Sequence, residues 1–184
     1  MSPGSHLAGK RSEERAQRPV KWEIWNSNLD MDKRDYKEFC EMAANGDARA
    51  FSKLYAMLYR EMFYTANYSL ANDKDAVEAV QGTARDGFKS IGRLRSEESF
   101  RVFMMKTLCA RIKMFFKDYK RTPPEEFRSE LNERLFEIES ADRLCAAMYI
   151  AGRFTMEEIS QYSGMSKSTV RKRLINALDY LELD

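Results

Sequence analysis

Apolar residues recur at steps of three and four through most of this chain, and that spacing is typical of amphipathic helices. The segment with the clearest pattern carries its apolar residues at Phe51, Leu54, Tyr55, Leu58 and Met62. The tripeptide Asn45-Gly46-Asp47 precedes this segment. It predicts the end of one helix and the start of the next, because Gly suits a helix end and Asp caps the following turn. No segment sustains the alternation of a strand, so the fold is predicted to be all-α.

Two more helices are predicted in the central part of the chain. Asn72 and Asp73 cap the first, whose predicted apolar face is Val77, Val80, Ala84, Phe88 and Ile91. Ser96-Glu97-Glu98 starts the second, with acids where the helix dipole favours them. Its predicted apolar face is Phe100, Phe103, Met104, Leu108, Ile112 and Phe115. We expect these aromatic rings to belong to the core rather than to a platform for stacking bases.

Thr122-Pro123-Pro124 ends this helical pattern, because proline cannot continue a helix. It predicts two small helical domains, 31–121 and 135–184, joined by a short linker over 122–134. A weaker helical stretch at 131–138 leads into the second domain. Residues 1–30 are predicted to be an extension or tail, in which Trp22 and Trp25 suggest docking on the body of the protein or on a partner.

The C-terminal residues predict a helix-turn-helix unit. Thr155 and Glu158 have the spacing of a capping box at the start of a short helix. Gly164 suits a sharp turn, and Ser166 caps a last helix. Apolar residues of this last helix lie at Val170, Leu174, Ala177, Leu178 and Leu181. A short helix, a Gly-containing turn and a second helix form the layout with which many proteins read DNA.

The formal net charge of the chain is only +2, but the basic residues are concentrated in two places. Residues 101–121 contain seven basic residues and one acid, and residues 166–176 contain four basic residues and no acid. Such clusters are the electrostatic pattern of a protein that contacts phosphates. The second cluster lies on the predicted reading helix.

Several function classes are disfavoured by what the sequence lacks. The three cysteines, Cys40, Cys109 and Cys145, have no metal-binding spacing and are expected to be buried free thiols. The single histidine, His6, lies near the N-terminus, and no Gly-rich phosphate loop is present. We therefore expect neither an enzyme nor a metal or cofactor site. No apolar run is long enough to span a membrane, and a cytoplasmic protein is expected.

The C-terminal unit resembles the fourth conserved region of bacterial sigma factors. The residues that carry the resemblance read FTMEEIS at 154–160, GMSKSTVRKRL at 164–174 and AL at 177–178. In that family the second helix reads the −35 promoter element. The resemblance therefore implies DNA contacts from Ser166, Lys167, Ser168, Thr169, Arg171, Lys172 and Arg173.

The first predicted domain resembles the second conserved region of the same family. The matching residues read DAVEAVQ at 75–81, FRVFMMK at 100–106 and FFK at 115–117. The first stretch implies binding to the clamp helices of the largest polymerase subunit through Asp75, Glu78 and Gln81. The loop and helix that follow imply contacts with the −10 element from Arg93, Arg95, Ser96, Arg101, Lys106, Arg111, Lys113 and Lys117.

A chain with only these two regions is similar to the extracytoplasmic-function group of sigma factors. The resemblance implies that it directs core RNA polymerase to promoter DNA, performs no chemistry itself, and is held by an anti-sigma factor, in some cases at the membrane. Two other classes remain open: a helix-turn-helix regulator that acts without polymerase, and a divergent sigma-like protein-interaction module. Specific binding of duplex by the isolated chain would favour the regulator.

Overall fold

A computed structural model describes residues 33–94, 96–119, 127 and 129–182. Within these ranges the regular structure is helical, which confirms the all-α prediction. The helices are α1 (Lys33–Ala44), α2 (Ala48–Leu70), α3 (Asp73–Ser90), α4 (Glu97–Tyr119), α5 (Glu130–Glu137), α6 (Ser140–Ile150), α7 (Met156–Ser163) and α8 (Lys167–Leu181). A short 3-10 turn, Ile91–Arg93, joins α3 to α4. The extension 1–30, Arg95 and most of the linker lie outside the described residues.

The helix boundaries follow from local sequence chemistry. The Asp47 carboxylate accepts hydrogen bonds from the amides of Arg49 and Ala50, at 2.8 and 3.1 Å, and so caps α2. Asn72 caps α3 in the same way through the amide of Asp75, at 3.0 Å. Capping satisfies amides that have no partner within the helix. The predicted starts of α2, α3 and α4 are therefore confirmed.

Helix α3 packs through small residues, and its predicted apolar face is partly wrong. Val77 is 38% exposed, although it was predicted to face the core. The buried residues of α3 are Ala76, Ala79, Val80, Gly82, Thr83 and Gly87. A Cβ atom at Gly87 would lie only 2.4 Å from the Met104 sulfur, so a bare backbone is what lets α3 approach α4. Hydrophobic spacing misses such a face, because Gly and Thr do not count as apolar.

Helix α4 buries apolar side chains on more than one side. Phe103 and Phe115 of the predicted face are only partly buried, whereas Met105, Cys109 and Phe116, which lie outside it, are buried. The single-face prediction for α4 is therefore wrong. The reason is that α4 packs against α2 and α3 on one side and against α7 on another.

The two segments predicted as separate domains pack against each other. One continuous cluster of buried apolar residues runs from Tyr36 in α1 to Leu174 in α8. Helix α2 packs on α6, and α4 packs on α7. Polar contacts join the segments as well, because the buried Asn132 amide of α5 donates to the Asn67 carbonyl of α2 at 3.4 Å. The domain boundaries themselves stay a prediction.

All three cysteines are free and buried, as the sequence predicts. The sulfur of Cys109 in α4 lies 3.8 Å from the sulfur of Met148 in α6. Burial raises the pKa of Cys109 and of Cys145 from 9.0 to about 12, because a thiolate has no water to solvate it there. None of the helices in the described part is long and apolar enough to cross a membrane.

We predict that the free energy of unfolding falls as the pH rises from 9.0 toward about 12. Below the unfolded-state pKa both states hold the thiol protons, so the thiols add no pH dependence there. Above it the unfolded chain releases those protons and the folded chain does not, which favours unfolding. Urea denaturation of the protein and of a Cys109→Ala variant across this range measures the effect. The variant should show a shallower decline, and an equal slope in both would contradict the prediction.

Candidate nucleic-acid interface

Helices α7 and α8 form the helix-turn-helix that the sequence predicts. The Thr155 hydroxyl accepts from the Glu158 amide at 3.2 Å, and the Glu158 carboxylate accepts from the Thr155 amide at 2.9 Å. This reciprocal capping box fixes the start of α7. Gly164 ends α7 with φ +75°, a conformation in which a Cβ atom is strained. The chain can therefore turn sharply into α8.

The first turn of α8 presents hydroxyl and basic groups to solvent. The Ser166 hydroxyl accepts from the Thr169 amide at 3.2 Å and so caps α8. Four side chains of this turn and the next are exposed, namely Lys167, Ser168, Arg171 and Lys172. Val170 and Leu174 are buried, and they fix which side of α8 faces outward. Exposed hydroxyls and cations at a helix N-terminus are suited to phosphate and base contacts.

Lys167 pairs with an acid of the neighbouring helix. Its ammonium lies 3.0 Å from the Glu157 carboxylate of α7, and the two side chains are 65% and 63% exposed. The pair lowers the pKa of Glu157 through a hydrogen bond and charge attraction. An exposed pair of this kind contributes little to stability. A phosphate can therefore replace Glu157 at small cost.

Arg173 lies on the opposite side of α8 and contacts the protein itself. Its guanidinium donates to the carboxylates of Glu139 and Asp142, each at 2.7 Å. Asp142 is buried, so the contact ties α8 to the first turn of α6. These carboxylates raise the pKa of Arg173 and hold its charge within the fold. The DNA contact predicted for Arg173 is not tested by this geometry, but the cation already has two partners.

The residues predicted to contact the −10 element, most of them basic, fall into two sets. Arg93 and Ser96, before α4, are exposed, as are Lys106 and Lys117 on α4. Arg101, Arg111 and Lys113 are only partly exposed, and each has a protein partner. Arg95 lies outside the described residues. The first set is accessible to solvent, and the second set is engaged within the fold.

Arg101 is surrounded by groups from two other helices and a loop. Its guanidinium lies 2.8 Å from the Glu61 carboxylate of α2 and 5.6 Å from the centre of the Phe154 ring before α7. It also hydrogen-bonds to Tyr162 of α7. Burial raises the pKa of Glu61, while the charge of Arg101 opposes that rise. The ion pair between Glu61 and Arg101 is therefore partly withdrawn from solvent. Removing either residue would leave the charge of the other without a counter-ion.

Arg111 and Lys113 make different contacts. Arg111 pairs with Asp86 of α3, and its guanidinium lies where a Cβ atom at position 82 would stand. Gly82 thus makes room for this pair. The Lys113 ammonium donates to the Ser163 carbonyl, the last residue of α7, at 2.6 Å. A cation at a helix C-terminus satisfies a free carbonyl and complements the helix dipole.

The residues predicted to bind polymerase lie near the start of α3. Glu78 and Gln81 are exposed, and Asp75 is half-buried. The exposed Val77 lies beside Glu78. Acidic and apolar groups presented together are suited to a protein partner rather than to DNA, because phosphates repel carboxylates.

Sequence reasoning missed the residues that join the two segments. Glu61, Phe154, Tyr162 and Met148 had no assigned role as contacts. The only sequence signal was on α4, where Met105, Cys109 and Phe116 make the helix apolar beyond one face. A helix whose apolar residues extend beyond one face can be covered on more than one side.

We predict that Arg173→Ala lowers stability whereas Lys172→Ala does not. Removing Arg173 leaves the buried Asp142 without its cation, which costs about 1–3 kcal/mol, and the exposed Lys172 lacks any such role. Urea denaturation of both variants checks this, and the neighbouring lysine serves as the matched control. Equal midpoints for the two variants would show that the contact between α8 and α6 does not stabilise the fold.

Comparison with known proteins finds a likeness in fold but none in sequence family. No protein-family model matches the sequence, and no curated protein matches it. Among solved structures, the chain is similar to CnrH, determined in complex with the cytosolic domain of CnrY. The TM-score is 0.62 at 16% identity, over 80% of this chain and 95% of that chain. At this identity the likeness shows a shared fold.

Proposed function

We propose that this protein is a sigma factor of the extracytoplasmic-function group, which directs core RNA polymerase to promoters. The observation that carries the proposal is the exposed basic turn of α8, set in a capped helix-turn-helix that follows a second helical unit. The protein supplies recognition, and the core enzyme performs nucleotidyl transfer. It is neither an enzyme nor a binder of small substrates in this proposal.

The fold supports the proposal independently of the sequence motifs. CnrH is a sigma factor of this group, and the matched region covers 95% of the CnrH chain. Fold alone does not fix function. It adds weight here because the two sequence stretches that resemble sigma regions fall in the matched order along one chain.

The division of surfaces in the structure agrees with the proposed roles. The exposed start of α8 would read the −35 element through Lys167, Arg171 and Lys172. The exposed part of α4 and the turn before it would approach the −10 element. The acidic and apolar side of α3, with Glu78 and Val77, would bind polymerase.

A protein inhibitor belongs to the same proposal. CnrH was solved with the cytosolic domain of another protein bound. We extend this to an anti-sigma factor that binds the present chain, with the chain acting in the cytoplasm or held at the membrane by that partner.

The proposal is tested by run-off transcription with core RNA polymerase and genomic DNA fragments. The full chain should produce discrete transcripts that core polymerase alone does not. A chain starting at Met31, run in parallel, tests whether residues 1–30 are required. Sequence-specific binding of duplex by the isolated chain, with no transcript in any reaction, would instead favour a helix-turn-helix regulator.

We predict that Arg171→Ala or Lys172→Ala weakens −35 recognition and leaves polymerase binding intact. Loss of one base contact costs about tenfold or more in affinity. Transcription from promoters with altered −35 sequences measures recognition, and pull-down of core polymerase measures assembly. Lys37→Ala, an exposed lysine of α1, is the matched control and should change neither. Loss of polymerase binding with unchanged promoter choice would show that the two roles are assigned wrongly.

We predict that Glu78→Lys reduces association with core polymerase by about tenfold or more, because a reversed charge repels a surface that an acid matched. Pull-down with immobilised chain measures the change. Glu41→Lys is the same charge reversal at an exposed position of α1, and it should leave association unaltered. Full retention of polymerase by the Glu78 variant would remove α3 from the proposed interface.

A further inference from the structure

Helix α2 carries a row of aromatic side chains that contact one another along its length. The centres of successive rings are 5.6 to 6.5 Å apart. We call these residues the aromatic run, and they are Tyr55, Tyr59, Phe63, Tyr64 and Tyr68. Tyr59 is 44% exposed and Tyr64 is 38% exposed, which is high for large rings in the middle of a packed helix. Apolar area left in water at neighbouring positions is typical of a docking surface.

Two cations of α2 already lie against aromatic rings. The Arg60 guanidinium is 5.8 Å from the centre of the Tyr64 ring, and the Lys53 ammonium is 4.4 Å from the centre of the Phe39 ring in α1. The exposed side chains of α2 between Ser52 and Tyr64 include no acid. A surface of rings and cations suits a peptide that contains tryptophan, because indole packs on aromatic rings and attracts cations more strongly than the other rings do.

Helix α1 covers only the first half of α2. The two helices form an antiparallel hairpin joined by residues 45–47, in which Lys53 contacts Phe39. Both helices rise about 1.5 Å per residue. Lys33, at the start of α1, is therefore level with Tyr59, since each lies six residues from that contact. The chain that leads into α1 thus enters beside the half of α2 that α1 does not cover.

Both tryptophans of the chain lie shortly before this point. Residues 19–25 read PVKWEIW, and they are called the tryptophan segment below. They lie outside the described residues. Eight residues separate Trp25 from Lys33, enough to extend over about 26 Å. The part of α2 from Tyr59 to Tyr68 is only about 14 Å long, so the aromatic run is within reach of the tryptophan segment.

We propose that the tryptophan segment docks on the aromatic run of its own chain, so that its indole rings cover the exposed rings of Tyr59 and Tyr64. The short connection to α1 favours this occupant over a separate molecule. It holds the segment near α2 at an effective concentration on the order of millimolar. The docking is an addition to the proposed function and does not depend on it.

The two tryptophans are themselves the probe, since the chain contains no others. Acrylamide quenching of their fluorescence in the full chain measures how far they are shielded from solvent. Docking predicts quenching several-fold weaker than for the same chain unfolded in urea. Tyr59→Ser and Tyr64→Ser should each raise the quenching toward the urea value, because each removes one ring of the surface. Tyr59→Phe keeps the ring and should behave like the parent chain.

The matched control is Tyr180→Ser. Tyr180 lies on α8, is 49% exposed and donates its hydroxyl to Glu137, so it is as accessible as the rings of α2 but belongs to the other segment. Its replacement should leave the quenching of the tryptophans at the parent value. Far-UV circular dichroism of each variant verifies that the helices are retained.

A reciprocal measurement follows the surface of α2 and leaves that helix unchanged. Tetranitromethane nitrates accessible tyrosines, and peptide mass spectrometry assigns the rate at each position. In a variant that carries Trp22→Ser and Trp25→Ser, nitration of Tyr59 and Tyr64 should be several-fold faster than in the parent chain. Nitration of Tyr180 should keep its rate. Altered folding of α2 cannot produce this result, because the substitutions lie outside the helix.

Tryptophans that are quenched as strongly in the folded parent chain as in urea would overturn the inference. Shielding that neither serine variant of α2 reduces would also overturn it, and so would equal nitration rates with and without the tryptophans. Shielding that disappears when the parent chain is diluted would assign the surface to a second copy of the chain instead. The run-off experiment is independent of these results: a chain without transcripts but with shielded tryptophans loses the proposed function and keeps the docking.

Discussion

The packing of α4 on both of its sides is the constraint on which the rest of the structure depends. Met104 and Leu108 belong to the buried core that α4 shares with α2 and α3, and Cys109 contacts Met148 of α6. A helix covered on two sides has a limited strip for polar groups. The basic residues of α4 must therefore either extend to solvent or find partners inside the fold; they are Arg101, Lys106, Arg111, Lys113 and Lys117.

Both solutions occur on the same helix. Lys106 and Lys117 reach solvent, while Arg101 and Arg111 pair with carboxylates and Lys113 with a helix carbonyl. A cation withdrawn from water needs such a partner, because desolvation otherwise costs more than the apolar packing around it gains. The partners come from α2, α3 and α7. The helices that surround α4 therefore determine which of its cations are paired and which remain exposed on a surface suited to DNA.

The helix-turn-helix shows a similar division on a smaller scale. Arg171, Lys172 and Arg173 are consecutive, yet Arg173 turns toward Asp142 while the first two face outward. The helical repeat places successive residues on different sides. Charge count alone treats the three as equivalent, whereas the position of α6 separates them. The same holds for Val77 and Val80, which differ in exposure although both are apolar members of α3.

The sequence by itself determined the helical class, the ends of most helices and the helix-turn-helix, because capping residues, glycines and apolar spacing act over a few neighbours. It also located the exposed part of α8. Only the tertiary structure decided which sides of α3 and α4 are covered and that Gly82 and Gly87 make room for side chains of α4. It also decided that Arg101 and Lys113 of the first segment contact the second segment at α7 and the loop before it. Those outcomes depend on residues far apart in the chain, such as Glu61 with Arg101 and Lys113 with Ser163, whose proximity no local pattern encodes.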